Sequence, residues 1–174
     1  RQFVDVGIAE EHAVSFVTGL ARAGARPVLG IYSTFLQRAY DQLWHDLCLN
    51  AASATILVFG ASAFGNNDVT HLGFFDIPML GTMPGLTYLA PTCIEEYLDM
   101  LSWSIGHDGG PVAIRVPVAG VESRPGFSRP ESYERSWEVV QKGSDVAVLA
   151  LGDAFPLGEK VVRELARAGV SATL

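Results

Sequence analysis

Apolar residues along this chain fall into short unbroken runs separated by segments of helical period. Pro27–Tyr32, Ala54–Phe59, Leu86–Leu89 and Pro111–Val116 are runs of strand length. Such runs fill a parallel sheet covered on both faces. Between them, Ala13, Phe16, Val17, Leu20 and Ala21 recur at helical spacing across Glu10–Ala23. Gly24 is placed to close that helix as its left-handed terminal residue. Phe35, Leu36, Ala39, Tyr40, Leu43 and Leu47 form the buried face of a second helix, entered by a Thr34–Gln37 capping box. Tyr97, Leu98, Leu101 and Ile105 form that of a third, entered by Thr92 and Glu95. Phe3–Val6 adds a short strand just before Gly7. The alternation predicts an α/β fold: a mostly parallel sheet with helices on both faces and right-handed crossovers.

Two stretches break the pattern. Gly60 to Pro84 contains Gly and Asn and has no clear period; a connection of that length is more often functional than idle. From Pro117 to about Arg135, prolines, glycines, serines and scattered charges read as an interdomain linker. Beyond it, Trp137–Val140 and Asp145–Leu151 read as strands, Leu157–Ala168 as a helix, and Gly169–Leu174 as the beginning of another strand. The predicted organisation is a domain over 1–120, a linker over 121–135, and the start of a second α/β domain over 136–174. The first residues, Arg1-Gln2, lack a Met and the last enter a strand, so the chain reads as a piece of a longer protein.

Composition narrows the picture. At 174 residues and 49% hydrophobic content there is enough for one ordinary domain with a real core and part of another. A net charge of −7 gives no reason to expect nucleic acid or an anionic membrane as partner. No apolar run reaches the roughly 18 residues of a membrane span, and the first residues lack the pattern of a signal peptide. Cys48 and Cys93 are isolated and read as reduced, packed thiols. These features point to the cytoplasm.

Candidate chemistry begins at Asp5-Val6-Gly7-Ile8-Ala9-Glu10-Glu11-His12, a Gly turn followed by a helix that opens on two carboxylates. A carboxylate there is favoured by unpaired N–H groups and the helix dipole, so Glu10 is either a helix-start residue or a working carboxyl. Neighbours on a helix are about 100° apart; Glu11 is therefore expected at the surface or at a domain contact, and His12 is either a structural hydrogen bonder or a substrate ligand. Tyr32 and Phe35 are either core aromatics or a ring-binding platform. Arg38 either enters a site as a planar donor fork or pairs with Asp41 on its own helix.

The stretch around Glu10, the run Ile31-Tyr32-Ser33-Thr34-Phe35-Leu36-Gln37-Arg38-Ala39-Tyr40-Asp41-Gln42 and the dipeptide Thr70-His71 together resemble the pyrimidine-binding domain of thiamine-diphosphate enzymes of the transketolase family. The likeness is greatest to the 1-deoxy-D-xylulose-5-phosphate synthase branch. Gly73-Phe74-Phe75-Asp76, Ala90-Pro91-Thr92 and Ala113-Ile114-Arg115-Val116-Pro117 continue it.

The resemblance implies that Glu10 hydrogen-bonds the aminopyrimidine of thiamine diphosphate and favours the tautomer that takes up the thiazolium proton. It assigns Ile8, Tyr32 and Phe35 to the cofactor pocket, with Phe35 stacking on the heterocycle. It gives His71 a catalytic role on substrate oxygens and places Arg38, Asp68 and Arg115 at the substrate. It implies transfer of a two-carbon unit from a keto donor to an aldehyde, in the supply of isoprenoid precursors. Mg²⁺ and its G-D-G ligand motif belong to a diphosphate-binding domain, in cis or on a partner chain, within a homodimer or heterotetramer.

The chain departs from the synthase pattern at identifiable places. Gly60 stands where that pattern has an arginine, Asn67 where it has an acidic residue with Asp68 one place later, and Val118 where it has a second arginine. Loss of two guanidinium groups weakens any grip on a substrate phosphate. Two alternatives follow: a transketolase-like enzyme with a less phosphate-dependent substrate, or a non-catalytic assembly subunit with a degenerate site. Other motifs fail. Gly60-Ala61-Ser62-Ala63-Phe64 lacks the closing Gly of a nucleophile elbow, no Lys-Ser/Thr completes a P-loop, and His45-Asp46 is a lone doublet expected to pack at an interface.

Overall fold

A computed structural model describes residues 2–64, 68–134 and 137–174. The expected Gly65-Asn66-Asn67 segment lies outside the described residues, as do Arg1, Arg135 and Ser136. Four apolar runs form the strands β1 (Val28–Tyr32), β2 (Thr55–Phe59), β3 (Thr87–Leu89) and β4 (Val112–Val116). All pair in parallel, in the order β1-β2-β4-β3. Successive side chains on a strand point to opposite faces. On β2, Ile56 and Val58 enter one core, with Val14, Leu36, Leu43 and Leu47; Leu57 meets the other, with Met100, Val112 and Ile114. Both faces are therefore covered, which is why these strands read as continuous apolar runs.

The first core is built by α1 (Glu10–Arg22) and a helical segment over residues 36–48. Gly24 closes α1 as expected, at φ +90° with its N–H on the Ala21 carbonyl. The 36–48 segment differs from an ordinary helix. It starts as a 3₁₀ turn at Leu36–Ala39 and widens into a π-helix at Gln42–Cys48. Its buried residues are Leu36, Ala39, Leu43, Leu47 and Cys48, while Phe35 and Tyr40 are partly exposed. The Thr34–Gln37 capping box does not form. A turn from the Phe35 N–H to the Tyr32 carbonyl makes the entry, and the buried Thr34 hydroxyl has no partner among the described residues. His45 pairs with Asp41, and Asp46 accepts from Ser15 of α1, so this doublet does pack between helices.

A short helix the periodicity missed, α2 (Asp76–Leu80), lies inside the 60–84 stretch. Helix α3 (Ile94–Gly106) starts one residue later than the capping box predicts. Cys93 is the cap, its sulfur accepting the Glu96 N–H, and the Glu96 carboxylate reaches back to the Thr92 N–H and hydroxyl. Glu95 instead accepts from Ser123 and the Arg124 N–H. Met100 and Ser104 are buried, Tyr97 and Leu101 are half-buried, and Leu98 and Ile105 are exposed.

Phe3–Val6 is not a strand. It has no ladder partner among the described residues, and Phe3 is 82% exposed. Trp137–Val140 likewise pairs with no strand among the described residues, though its Val140 N–H reaches the Leu174 carbonyl. Asp145–Leu151 contracts to β5 (Val146–Ala147), paired in parallel with β6 (Ala172–Thr173), with α4 (Phe155–Arg167) between them. Apolar composition alone cannot make a strand whose backbone groups lack a neighbour.

The 121–135 segment is irregular yet anchored. Tyr133 is 2% exposed in the second core, and its hydroxyl donates to Asp99 at 2.7 Å. Arg124 forks onto Glu159 at 2.6 and 3.1 Å and lies 4.4 Å from the Phe155 ring centroid. No helix among the described residues is long and apolar enough to cross a membrane.

Candidate functional site

The parallel register aligns Tyr32 with Phe59 and Phe59 with Val116, so β1, β2 and β4 end side by side. Open parallel sheets bind ligands outside such carboxyl ends. Here that edge carries Tyr32, the turn to Phe35, and the loop that follows Gly60.

A cleft of about 380 Å³ opens at this edge. Thr34, Phe35, Gln37 and Arg38 line one wall; Val69, Thr70, His71, Leu72 and Phe75 line the other. Three rings meet there. His71 stands edge-on to Phe35 at 5.3 Å and to Tyr32 at 5.9 Å, and Tyr32 lies 5.8 Å from Phe35. The two residues singled out as an aromatic platform are thus joined by the histidine from a loop some 40 positions away.

Glu10 is the first residue of α1 and is buried, although its helix has no side-chain cap. The turn before it depends on Gly7, at φ +68°, whose N–H donates to Asp5 at 2.9 Å. Among the described residues, the one ion pair of Glu10 is a 3.4 Å contact with Arg38, half-exposed and part of the cleft wall. That distance is long for a charge-assisted bond. The carboxylate is therefore desolvated, loosely held and able to accept a second donor. Arg38 reaches across to Glu10 and leaves Asp41 to His45. Its guanidinium carbon also lies 5.6 Å from the Phe35 ring centroid.

The His71 tautomer follows from proton counting. Thr70 donates its single hydroxyl proton to Asp68 Oδ1 at 2.7 Å. Its oxygen, 2.8 Å from His71 Nδ1, must then accept, as must Asp68 Oδ2 at 3.1 Å. Nδ1 carries the proton, which leaves Nε2 of the neutral ring as an acceptor. The Thr70 N–H and hydroxyl hold the Asp68 carboxyl below its usual range, with a smaller effect from His71.

Other expected residues lie outside the cleft wall. Ile8 is 91% exposed just ahead of α1. Glu11 is exposed, as expected; His12 is exposed too, its ring stacked on Phe16 at 5.8 Å. Arg115 is not in the cleft wall but behind it. It is 5% exposed, with Nε on Asp76 Oδ2 at 2.8 Å and Nη2 on the Gly73 carbonyl at 3.1 Å. Tyr88 donates to the same Asp76 oxygen. Asp76 stood in the sequence only as the end of the landmark Gly73-Phe74-Phe75-Asp76, with no role attached, and Tyr88 only as part of a strand run. Gly60 lies under the Tyr32 ring, and Val118 is exposed.

Residues 1–122 match the family described as transketolase, pyrimidine binding domain. The chain is 36% identical to the 1-deoxy-D-xylulose-5-phosphate synthase of Clostridium acetobutylicum, across 100% of this chain and 28% of that protein. It is 41% identical to the synthase of Shouchella clausii, across 98% of this chain and 27% of that protein. The chain thus spans little more than a quarter of the length of these curated relatives. Two solved structures share its fold. A split-gene transketolase, described as an inactive β4 tetramer, matches at TM-score 0.77 and 21% identity over 98% of this chain and 55% of its own. Transketolase from Pichia stipitis in complex with sedoheptulose 7-phosphate matches at 0.82 and 18% over 96% and 25%.

Proposed function

The chain belongs to the transketolase pyrimidine-binding family, and from that premise we propose that it is the pyrimidine-binding part of a thiamine-diphosphate-dependent transferase of the 1-deoxyxylulose-5-phosphate synthase or transketolase type. The observation that carries the reading is Glu10: a buried carboxylate at a helix start, held by one long contact to an arginine of the aromatic cleft. A flat, amino-bearing heterocycle suits that combination of ring wall and unsaturated carboxylate.

Glu10, Ile8, Tyr32 and Phe35 would hold the aminopyrimidine. When bound, thiamine diphosphate supplies the electron sink for moving a two-carbon unit between a keto donor and an aldehyde. Glu10 holds a proton at the heterocycle, in a bond worth roughly 1.5–3 kcal/mol. His71 Nε2 accepts from, or after protonation donates to, a substrate hydroxyl. Arg38 and Asp68 flank the substrate. Arg115 acts from behind the cleft, through the Gly73 carbonyl.

The reading extends to the rest of the protein. A diphosphate-binding domain, in cis or on a partner chain, supplies the Mg²⁺ ligands, in a cytoplasmic dimer or heterotetramer. Residues 1–120 form the pyrimidine domain, 121–135 a linker and 136–174 the start of a C-terminal domain.

A second reading concerns the acceptor. Among the described residues lining the cleft, Arg38 is the sole cation, and it is already paired with Glu10. This favours an aldehyde that is not gripped by a phosphate. Removing the acceptor phosphate would then leave the rate nearly unchanged.

The test uses the intact protein, with its diphosphate-binding part, thiamine diphosphate and Mg²⁺. Labelled pyruvate and glyceraldehyde 3-phosphate should give CO₂ release that depends on the cofactor and the aldehyde, and Glu10→Gln should lower turnover by about 10²-fold or more. Full turnover by Glu10→Gln would refute the role of Glu10. Cofactor binding without CO₂ release would redirect the reading to ketose donors.

A further inference from the structure

A buried arginine on a central strand needs a reason, because an unpaired charge there is costly. Arg115 sits on β4, the strand between β2 and β3, and its guanidinium spans two partners. One is Asp76, the first residue of α2 and itself buried; the other is the Gly73 backbone carbonyl. Tyr88, on the neighbouring strand, adds its hydroxyl to the same Asp76 oxygen. Burial and the adjacent Asp76 charge push the Tyr88 phenol well above its ordinary range, which keeps it a donor. Two strands and a helix thus converge on the Asp76 carboxylate, and Arg115 carries the contact on to one peptide group of the loop that bears His71.

Gly73 is held from its other side too. A Cβ at this position would fall 1.6 Å from the Gly60 carbonyl oxygen and 2.8 Å from the Ser62 nitrogen. The loop backbone is pressed against the end of β2 while Arg115 holds its carbonyl. His71 is two residues upstream, in a turn closed by Asp68 and Thr70. Leu72 alone separates that turn from the clamp.

We propose that Arg115, Asp76 and Tyr88 form a buried positioning assembly that fixes Gly73, and through it sets His71 against Tyr32 and Phe35. Arg115 is then a positioning residue rather than a substrate ligand. The functional consequence rests on the role given to His71 above; the mechanical one does not. A lysine at 115 keeps a charge beside Asp76 but, as a point donor, loses the fork that also reaches Gly73.

The test compares Arg115→Lys, the milder Tyr88→Phe, His71→Gln and the Arg115→Lys/His71→Gln pair in the intact, cofactor-loaded protein. Two readouts are followed: turnover, and hydrogen exchange of the amides of residues 68–75. Arg115→Lys should speed exchange in that segment, with β2 unchanged, and lower turnover by about 10-fold or more. Tyr88→Phe should do the same to a smaller extent, so a folding failure of the lysine variant leaves a second measurement. The pair should be no slower than His71→Gln alone, within about twofold, because both changes act on one group. Multiplicative losses would mean that Arg115 touches the substrate independently, and would overturn the proposal. Unchanged exchange in both variants would overturn it whatever the turnover. If His71→Gln keeps full turnover, the role given to His71 fails, and the exchange result still decides whether the assembly holds the loop.

Discussion

The ring of Tyr32 fills the space that a side chain at position 60 would need. A Cβ on Gly60 would lie 2.4 Å from Tyr32 Cζ and 2.7 Å from its hydroxyl oxygen, and the backbone there has φ +70°. The platform tyrosine of β1 and the glycine that ends β2 are thus one packing unit. Gly60→Ala should cost about 1–3 kcal/mol, from backbone strain and the displaced ring. Gly60→Arg should also weaken thiamine diphosphate binding, because Tyr32 must leave the platform. Denaturant unfolding and calorimetric titration check the two outcomes; unchanged stability in Gly60→Ala would contradict the packing described.

Phe35 separates binding from folding. Its ring is partly exposed in the cleft, whereas its neighbour Leu36 is fully buried. Phe35→Ala should therefore leave the unfolding midpoint nearly unchanged. It should raise the dissociation constant for thiamine diphosphate by about fivefold or more, equivalent to about 1 kcal/mol of ring stacking. Titration of the intact protein reads this directly, and an unaltered constant would remove Phe35 from the pocket.

Leu36→Ala offers the opposite contrast. It empties space in the core shared by α1 and β2, and should cost about 2–5 kcal/mol of stability, whatever its effect on the cofactor.

Glu95 gives a pH dependence with a definite sign. Hydrogen bonds from the Arg124 N–H and the Ser123 hydroxyl lower its carboxyl from the ordinary 4.5 to about 2. A depressed folded-state value contributes stability that is present above the unfolded value and lost as pH falls through the folded one. The melting-temperature gap between the parent and Glu95→Gln should therefore be full at pH 6 and shrink from about pH 4.5 down to about pH 2. A gap that widens on acidification would contradict the assignment.

Both cysteines are free and buried. Burial pushes the Cys48 thiol up to about 11, which leaves about a hundredfold less thiolate at pH 8 than an ordinary cysteine. Neither thiol should react with a disulfide reagent until denaturant is added. Fast modification of Cys48 in the folded protein would mean that its helix opens locally.

The sequence by itself determined the elements whose signal is local. Apolar runs located four strands, because a strand covered on both faces must be apolar throughout. Helical period located α1, and Gly24 marked its end. Glu10 at a helix start, Phe35 and Arg38 near one another, and the isolated thiols were all readable from composition and spacing. Tertiary structure decided what depends on partners far along the chain. Phe3–Val6 has strand composition but no neighbouring backbone to pair with. The entry to α3 moved by one residue because Glu95 was taken by Ser123 and Arg124, some 28 positions on, and left Glu96 to reach back to Thr92. Arg115 appeared in the sequence as a candidate ligand, and only the docking of α2 on the sheet placed Asp76, 39 positions away, against it. Side-chain period is set by bonds within a few residues, whereas burial of a charge and closure of a cleft are set by which strands lie side by side.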